Sequence, residues 1–150
     1  VINFKFDKEK LAMIMKLPMK AGKLAFKYTA EEAWSLLMKE SPVDHGRLAG
    51  SWQLSKENDF RYKAKSGVKY ALAVATGTGV YGPEGRPIII EPVTKKCLHF
   101  IWQGMEIFTK RAEVQGMKPN PYPDRAMKGA EKRVPEFIRR ALREVDTSAK

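Results

Sequence analysis

Cysteine is almost missing from this chain: Cys97 stands alone. A single thiol excludes an internal disulfide framework and a cysteine-built zinc site, and it fits synthesis in a reducing cytoplasm. Histidine is nearly as scarce. His45 and His99 are far apart, and neither shares a metal-binding repeat with another histidine or a carboxylate, so no metal ligand is expected. Long apolar runs are absent too, the longest being short stretches such as Ile88-Ile89-Ile90, against the ~20 residues that cross a bilayer. No membrane span is expected. The start, Phe4-Lys5-Phe6-Asp7-Lys8-Glu9-Lys10, interleaves charge where a signal peptide needs an unbroken apolar core, so secretion by that route is not expected. Acidic residues are also in short supply, 17 against 28 lysines and arginines, a net +11. That excess sets up a positive field toward nucleic acid, anionic lipid or acidic protein surfaces.

What remains is an ordinary globular composition. With 150 residues, 43% hydrophobic and 30% charged, the chain suits one domain spanning residues 1–150 around one core. From Asp7 to about Tyr28, apolar residues recur at Leu11, Ile14, Leu17, Ala21, Leu24 and Tyr28, the spacing of an amphipathic helix. Pro18 predicts a kink or a fresh start within it. Thr29-Ala30-Glu31-Glu32 matches a capping box, predicting a new helix start there, and Ser41-Pro42 predicts its end.

Beyond Leu48 the period becomes alternating. Trp52 and Leu54, then Phe60, Tyr62 and Ala64, predict two strands joined at Lys56-Glu57-Asn58-Asp59, with Arg61, Lys63 and Lys65 on a solvated face. A third strand is expected from Val68 to Ala75, then a long glycine- and proline-rich loop from Thr76 to Pro87. Ile88–Ile90, Leu98–Trp102 and Met105–Phe108 read as further strands, the last two joined near Gln103-Gly104. Three alternating prolines, Pro119, Pro121 and Pro123, predict a rigid connector. A final helix is expected from near Asp124, docking Met127, Ala130, Val134, Phe137, Ile138, Ala141, Leu142 and Val145 on the sheet, with a kink at Pro135. The fold class is therefore α+β: an antiparallel sheet of five or six short strands flanked by amphipathic helices at the two ends.

Catalytic chemistry is not expected. Gly77-Thr78-Gly79-Val80-Tyr81-Gly82 has the glycine spacing of a dinucleotide-binding turn, but Pro83, Gly85 and Pro87 come next, where a helix should open. No cofactor is assigned. Asp44-His45 beside Ser41 or Ser51 does not make a triad, because the base must be oriented by one group while reaching a nucleophile with another. No paired carboxylates share a face, and Cys97 reads as a small buried hydrophobe despite Lys95-Lys96 before it. Neither an enzyme nor a small-molecule substrate is expected.

Three ordered segments together resemble the neck proteins of long-tailed bacteriophages, which join head to tail or complete the tail. They are Ser41-Pro42-Val43-Asp44-His45-Gly46-Arg47-Leu48, then Tyr70-Ala71 leading to Gly77-Thr78, then Gly116-Met117-Lys118-Pro119-Asn120-Pro121-Tyr122. The chain departs from the usual family pattern at His45 (threonine), Ala75 (glutamate) and Tyr122-Pro123 (phenylalanine-leucine). The resemblance implies a non-catalytic virion protein made in the host cytoplasm. It would be a subunit of a homo-oligomeric ring between the portal or head-closure side and the tail-terminator side, with DNA in its channel. It also implies that Pro42, Asp44, Gly46, Arg47, Leu48, Tyr70, Ala71, Gly77, Thr78, Gly116, Pro119 and Pro121 form family loops. Arg47, Arg61, Lys63, Arg139 and Arg140 are candidates for ring or DNA contact. Two other readings stay open: a tail-terminator or tail-tube component, and a free basic nucleic-acid-binding protein, which the charge alone would motivate.

Overall fold

The computed structural model describes residues 7–43 and 46–148; Asp44 and His45 lie outside them. The chain is α+β, with helices toward both ends bracketing the strands. It forms two compact units, one of Val1–Ala71 with Pro121–Lys150 and one of Leu72–Asn120.

In the first unit, helix α1 (Lys8–Met15) is capped by Asp7, whose carboxylate accepts a 2.8 Å hydrogen bond from Glu9 N–H. Pro18 is the N-cap of α2 (Met19–Glu40), so the proline marks a fresh start rather than a bend. The expected capping box at Thr29 is overturned, because α2 runs straight through it. Thr29 is fully buried, and its hydroxyl donates to Ala25 C=O at 2.8 Å, the back-bond that lets a buried threonine sit inside a helix. Ser41, in extended conformation before Pro42, ends α2 as expected.

A short helix, α3 (Arg47–Gly50), then leads to an antiparallel hairpin of β1 (Trp52–Asn58) and β2 (Arg61–Ser66) in the expected place. The expected final helix is instead two, α5 (Tyr122–Lys132) and α6 (Val134–Thr147). Pro135 lies in the first turn of α6, where its missing N–H costs nothing, so the chain restarts at Val134 instead of kinking. Both helices pack on α2, not on a sheet as the spacing predicts. The core explains this: Ile14, Ala21, Ala25, Val134 and Ala141 are buried together, with Leu17, Leu24, Ile138 and Leu142 around them. Small side chains at Ala21, Ala25 and Thr29, one turn apart along α2, let the facing helices approach closely.

The third strand expected at Val68–Ala75 is instead a helix, α4 (Ala71–Thr76). Three alanines in six residues favour the helix over a short strand with no neighbouring strand to pair it. A single 3-10 turn, Gly79–Tyr81, comes after it. Strands β3 (Ile88–Ile90), β4 (Leu98–Trp102), β5 (Met105–Thr109) and β6 (Ala112–Val114) pair as β3 with β6 and β4 with β5, both antiparallel. The β4–β5 turn uses Gln103 and Gly104, both at positive φ (50° and 80°), the two-residue turn that matches strand twist. Among the described residues, the single sheet of five or six strands is thus replaced by three sheets of two strands each. Strand alternation is local and legible; which strands become neighbours depends on contacts between distant residues.

Candidate functional site

The three motif segments supply most of what the fold uses to hold its loops. In the second unit, Gly77-Thr78 and Gly116-Met117 form one backbone clasp. Thr78 N–H donates to Met117 C=O at 2.9 Å, Met117 N–H donates to Thr78 Oγ1 at 3.0 Å, and Val80 N–H donates to Gln115 C=O at 2.8 Å. Asn120 N–H closes the far end onto Val74 C=O at 3.0 Å. The two stretches of main chain come so close that side chains do not fit between them. A Cβ on Gly79 would lie 2.3 Å from Gln115 O, and one on Gly116 would lie 2.1 Å from Thr78 O. Both glycines also hold positive φ, 64° and 92°. Gly77, at φ 81°, packs against Met117 O and Pro119 Cδ, 2.9 and 3.0 Å from its would-be Cβ. The dinucleotide-like glycine spacing thus has a mechanical use here: these glycines admit main chain, and they lead into a 3-10 turn rather than a long helix.

In the first unit, pieces of all three segments meet around Tyr122. This tyrosine is fully buried beside Trp52, ring centroids 6.3 Å apart, and its hydroxyl donates to Ala71 C=O at 3.3 Å. Trp52 Nε1 donates to Ser41 Oγ at 3.1 Å, Ser41 in turn donates to Leu37 C=O at 2.6 Å, and Trp34 Nε1 donates to Trp52 C=O at 3.1 Å. Every side-chain polar atom of this buried node has a partner, which lets it sit in the core without penalty. Burial pushes the Tyr122 phenol up to about 12. Trp52 and Trp34 are absent from the site residues that the sequence suggests, because their signal there is only that of aromatic rings at core positions; Ser41 opens the first motif segment.

The remaining motif residues fall around these two sites. Leu48 is buried, Gly46 takes φ 70° as N-cap of α3, Pro42 is half-buried, and Tyr70 is half-exposed. Pro121 is the N-cap of α5 and Pro119 is exposed. Asp44 lies outside the described residues.

The five candidate contact residues separate into kinds. Arg61 and Lys63 both face Glu57, at 3.2 and 3.5 Å, which neutralises part of their field. They line a groove of about 370 Å³ in the first unit, whose floor includes Phe26, Trp34 and Leu37. Arg140 lays its guanidinium over the Tyr28 ring, 4.2 Å from the centroid, while the Tyr28 hydroxyl donates to Glu144 and its pKa is raised by that bond. Arg139 and Arg47 are exposed and make no ion pair among the described residues. Arg139, Arg140 and Arg143 share one recess of α6 with Glu136 and Glu144. Arg133, crowded by sequence with these residues, is committed elsewhere: it pairs with Glu32 on α2 at 2.7 Å and with Glu136 at 3.0 Å, which raises its pKa further and lowers that of Glu136.

No family model, curated protein or solved structure matches the chain.

Proposed function

We propose that this protein is a structural, non-catalytic subunit of the neck of a long-tailed bacteriophage. It would assemble as a homo-oligomeric ring between the head-closure and tail-terminator proteins. The observation that carries the reading is the clasp. The second and third motif segments are joined by Thr78 N–H donating to Met117 C=O and by Met117 N–H donating to the Thr78 hydroxyl, residues 39 apart, and pieces of all three segments meet around Tyr122. The motif residues therefore act through backbone shape and packing, as a rigid joint requires, and not by offering groups that could react. Antibody labelling of virions tests the reading. Gold should fall at the head–tail junction, and loss of the gene should leave complete heads and complete tails unjoined. Label confined to the baseplate or capsid shell would overturn it.

Direct contact with DNA is a second reading, favoured by where the charge sits. The first unit carries 22 basic and 13 acidic residues, net +9, and the second only 6 and 4, net +2. Filter binding with duplex DNA should then weaken steeply with salt. Undetectable binding at moderate salt would remove this reading and leave the neck assignment standing.

A further inference from the structure

The second unit displays apolar side chains that nothing in the unit covers. Along the β4–β5 ribbon the register pairs Trp102 with Met105, Phe100 with Ile107, Ile101 with Glu106 and His99 with Phe108. One face thus carries Phe100, Trp102, Met105 and Ile107, and the other carries Ile101 and Phe108 beside His99 and Glu106. Exposure is high on both faces: Trp102 60% and Met105 61% on the first, Ile101 69% and Phe108 62% on the second. Each strand also has one edge with no ladder partner among the described residues.

A lone two-stranded ribbon is marginal in water, and an exposed apolar edge pairs readily unless lysine, proline or a bulge blocks it. None of those devices lies within Leu98–Trp102 or Met105–Thr109. The lysines and arginine that could do so, Lys95, Lys96, Lys110 and Arg111, stand just outside the strands.

We propose that β5 is a self-association edge, pairing antiparallel with β5 of a second copy of this chain across a two-fold axis at Phe108. Charge chooses this occupant. With Phe108 on the axis and the ladder continued one residue past Thr109, Glu106 of each copy stands opposite Lys110 of the other, two matched pairs from one sequence. Phe108 meets Phe108, extending the stack that each already makes on His99, centroids 4.5 Å apart and planes 10° from parallel. The β4 edge offers no such match, since a two-fold at Phe100 sets His99 against Ile101 and Lys96 against Gly104. The second unit, at only +2, also presents little charge repulsion to a second copy of itself. The pairing concerns the free protein and does not depend on the neck reading.

Sedimentation equilibrium on the full chain tests it. Wild type should have the mass of a dimer, and Phe108→Lys should be a monomer with unchanged far-ultraviolet circular dichroism. Glu106→Lys or Lys110→Glu alone should weaken association roughly tenfold, as expected when two cross-strand attractions become repulsions, and the double exchange should restore it. In a Cys97→Ser background, Phe108→Cys should cross-link copy to copy on mild oxidation, far faster than Val93→Cys. A wild-type monomer at all concentrations, a Phe108→Lys dimer, or equal cross-linking at the two positions would overturn the proposal. So would stable capture of a different protein on this edge by chains that do not pair with one another.

Discussion

Single residues carry the sharpest consequences. Gly116 combines φ 92° with main chain 2.1 Å from any Cβ. Gly116→Ala must therefore open the clasp, and it should destabilise the second unit by about 2–3 kcal/mol, read as a shift in its denaturant midpoint. Tyr122 sets an alkaline limit. Its folded-state pKa of about 12 lies above the ordinary tyrosine value of about 10, so its contribution is complete below about pH 10 and is lost as pH rises toward 12. Tyr122→Phe should flatten that part of the stability–pH curve, at the cost of the hydrogen bond to Ala71. Asp59 works in the other direction. Lys23 at 2.6 Å and Lys56 at 2.7 Å hold its carboxyl down to about 2. Its contribution is present above the ordinary value of about 3.9 and is lost as pH falls toward 2. Asp59→Asn should remove that acid dependence in urea titrations, and because the pair is exposed the loss at neutral pH should be small.

Among the elements, α2 is the one on which the first unit is assembled. Its buried stripe of Ala21, Ala25 and Thr29 faces α5 and α6 at a separation that small side chains permit. Ala25→Leu should therefore overpack the interface and cost about 1–3 kcal/mol, whereas Lys27→Ala on the exposed face should stay within about 0.5 kcal/mol by the same thermal melts. The elements were largely legible where the signal is local: the fresh start at Pro18, the stop at Ser41-Pro42, the β1–β2 hairpin and the Gln103-Gly104 turn all arise from residues that fix their own backbone. The misreadings share a cause. Thr29 has the chemistry of a cap, but burial against facing helices carries the helix through it. Val68–Ala75 has alternating apolar residues, yet its alanines make a helix once no strand lies alongside. β6 is too short and too ordinary in composition, Ala112-Glu113-Val114, to be seen without its partner Ile88–Ile90.

For the whole molecule, charge is distributed unevenly, and this sets the final prediction. If the first unit meets DNA, Arg139→Gln should lower affinity at every sequence tested and reduce the steepness of the salt dependence by about one, with only a small change in stability, because Arg139 is exposed and makes no ion pair within 4 Å among the described residues. Arg140→Gln should lower affinity too, but it should also lower the melting temperature, since its guanidinium packs on Tyr28. Comparing the two variants separates a binding surface from a structural stack.

The sequence by itself determined the α+β class, the basic excess, the helical stretches toward both ends, the β1–β2 and β4–β5 hairpins, and the glycines and prolines that would shape loops. These are properties of residues and their near neighbours, set by side-chain period, fixed φ and formal charge. Only the tertiary structure decided that Thr78 and Met117 would clasp, that Tyr122 would close over Trp52 and Ala71, and that the final helices would dock on α2. It also decided that Arg61 and Lys63 would share Glu57 while Arg139 stays exposed. Those outcomes depend on which distant surfaces bury one another, a choice made by volume and close backbone approach that no local pattern encodes.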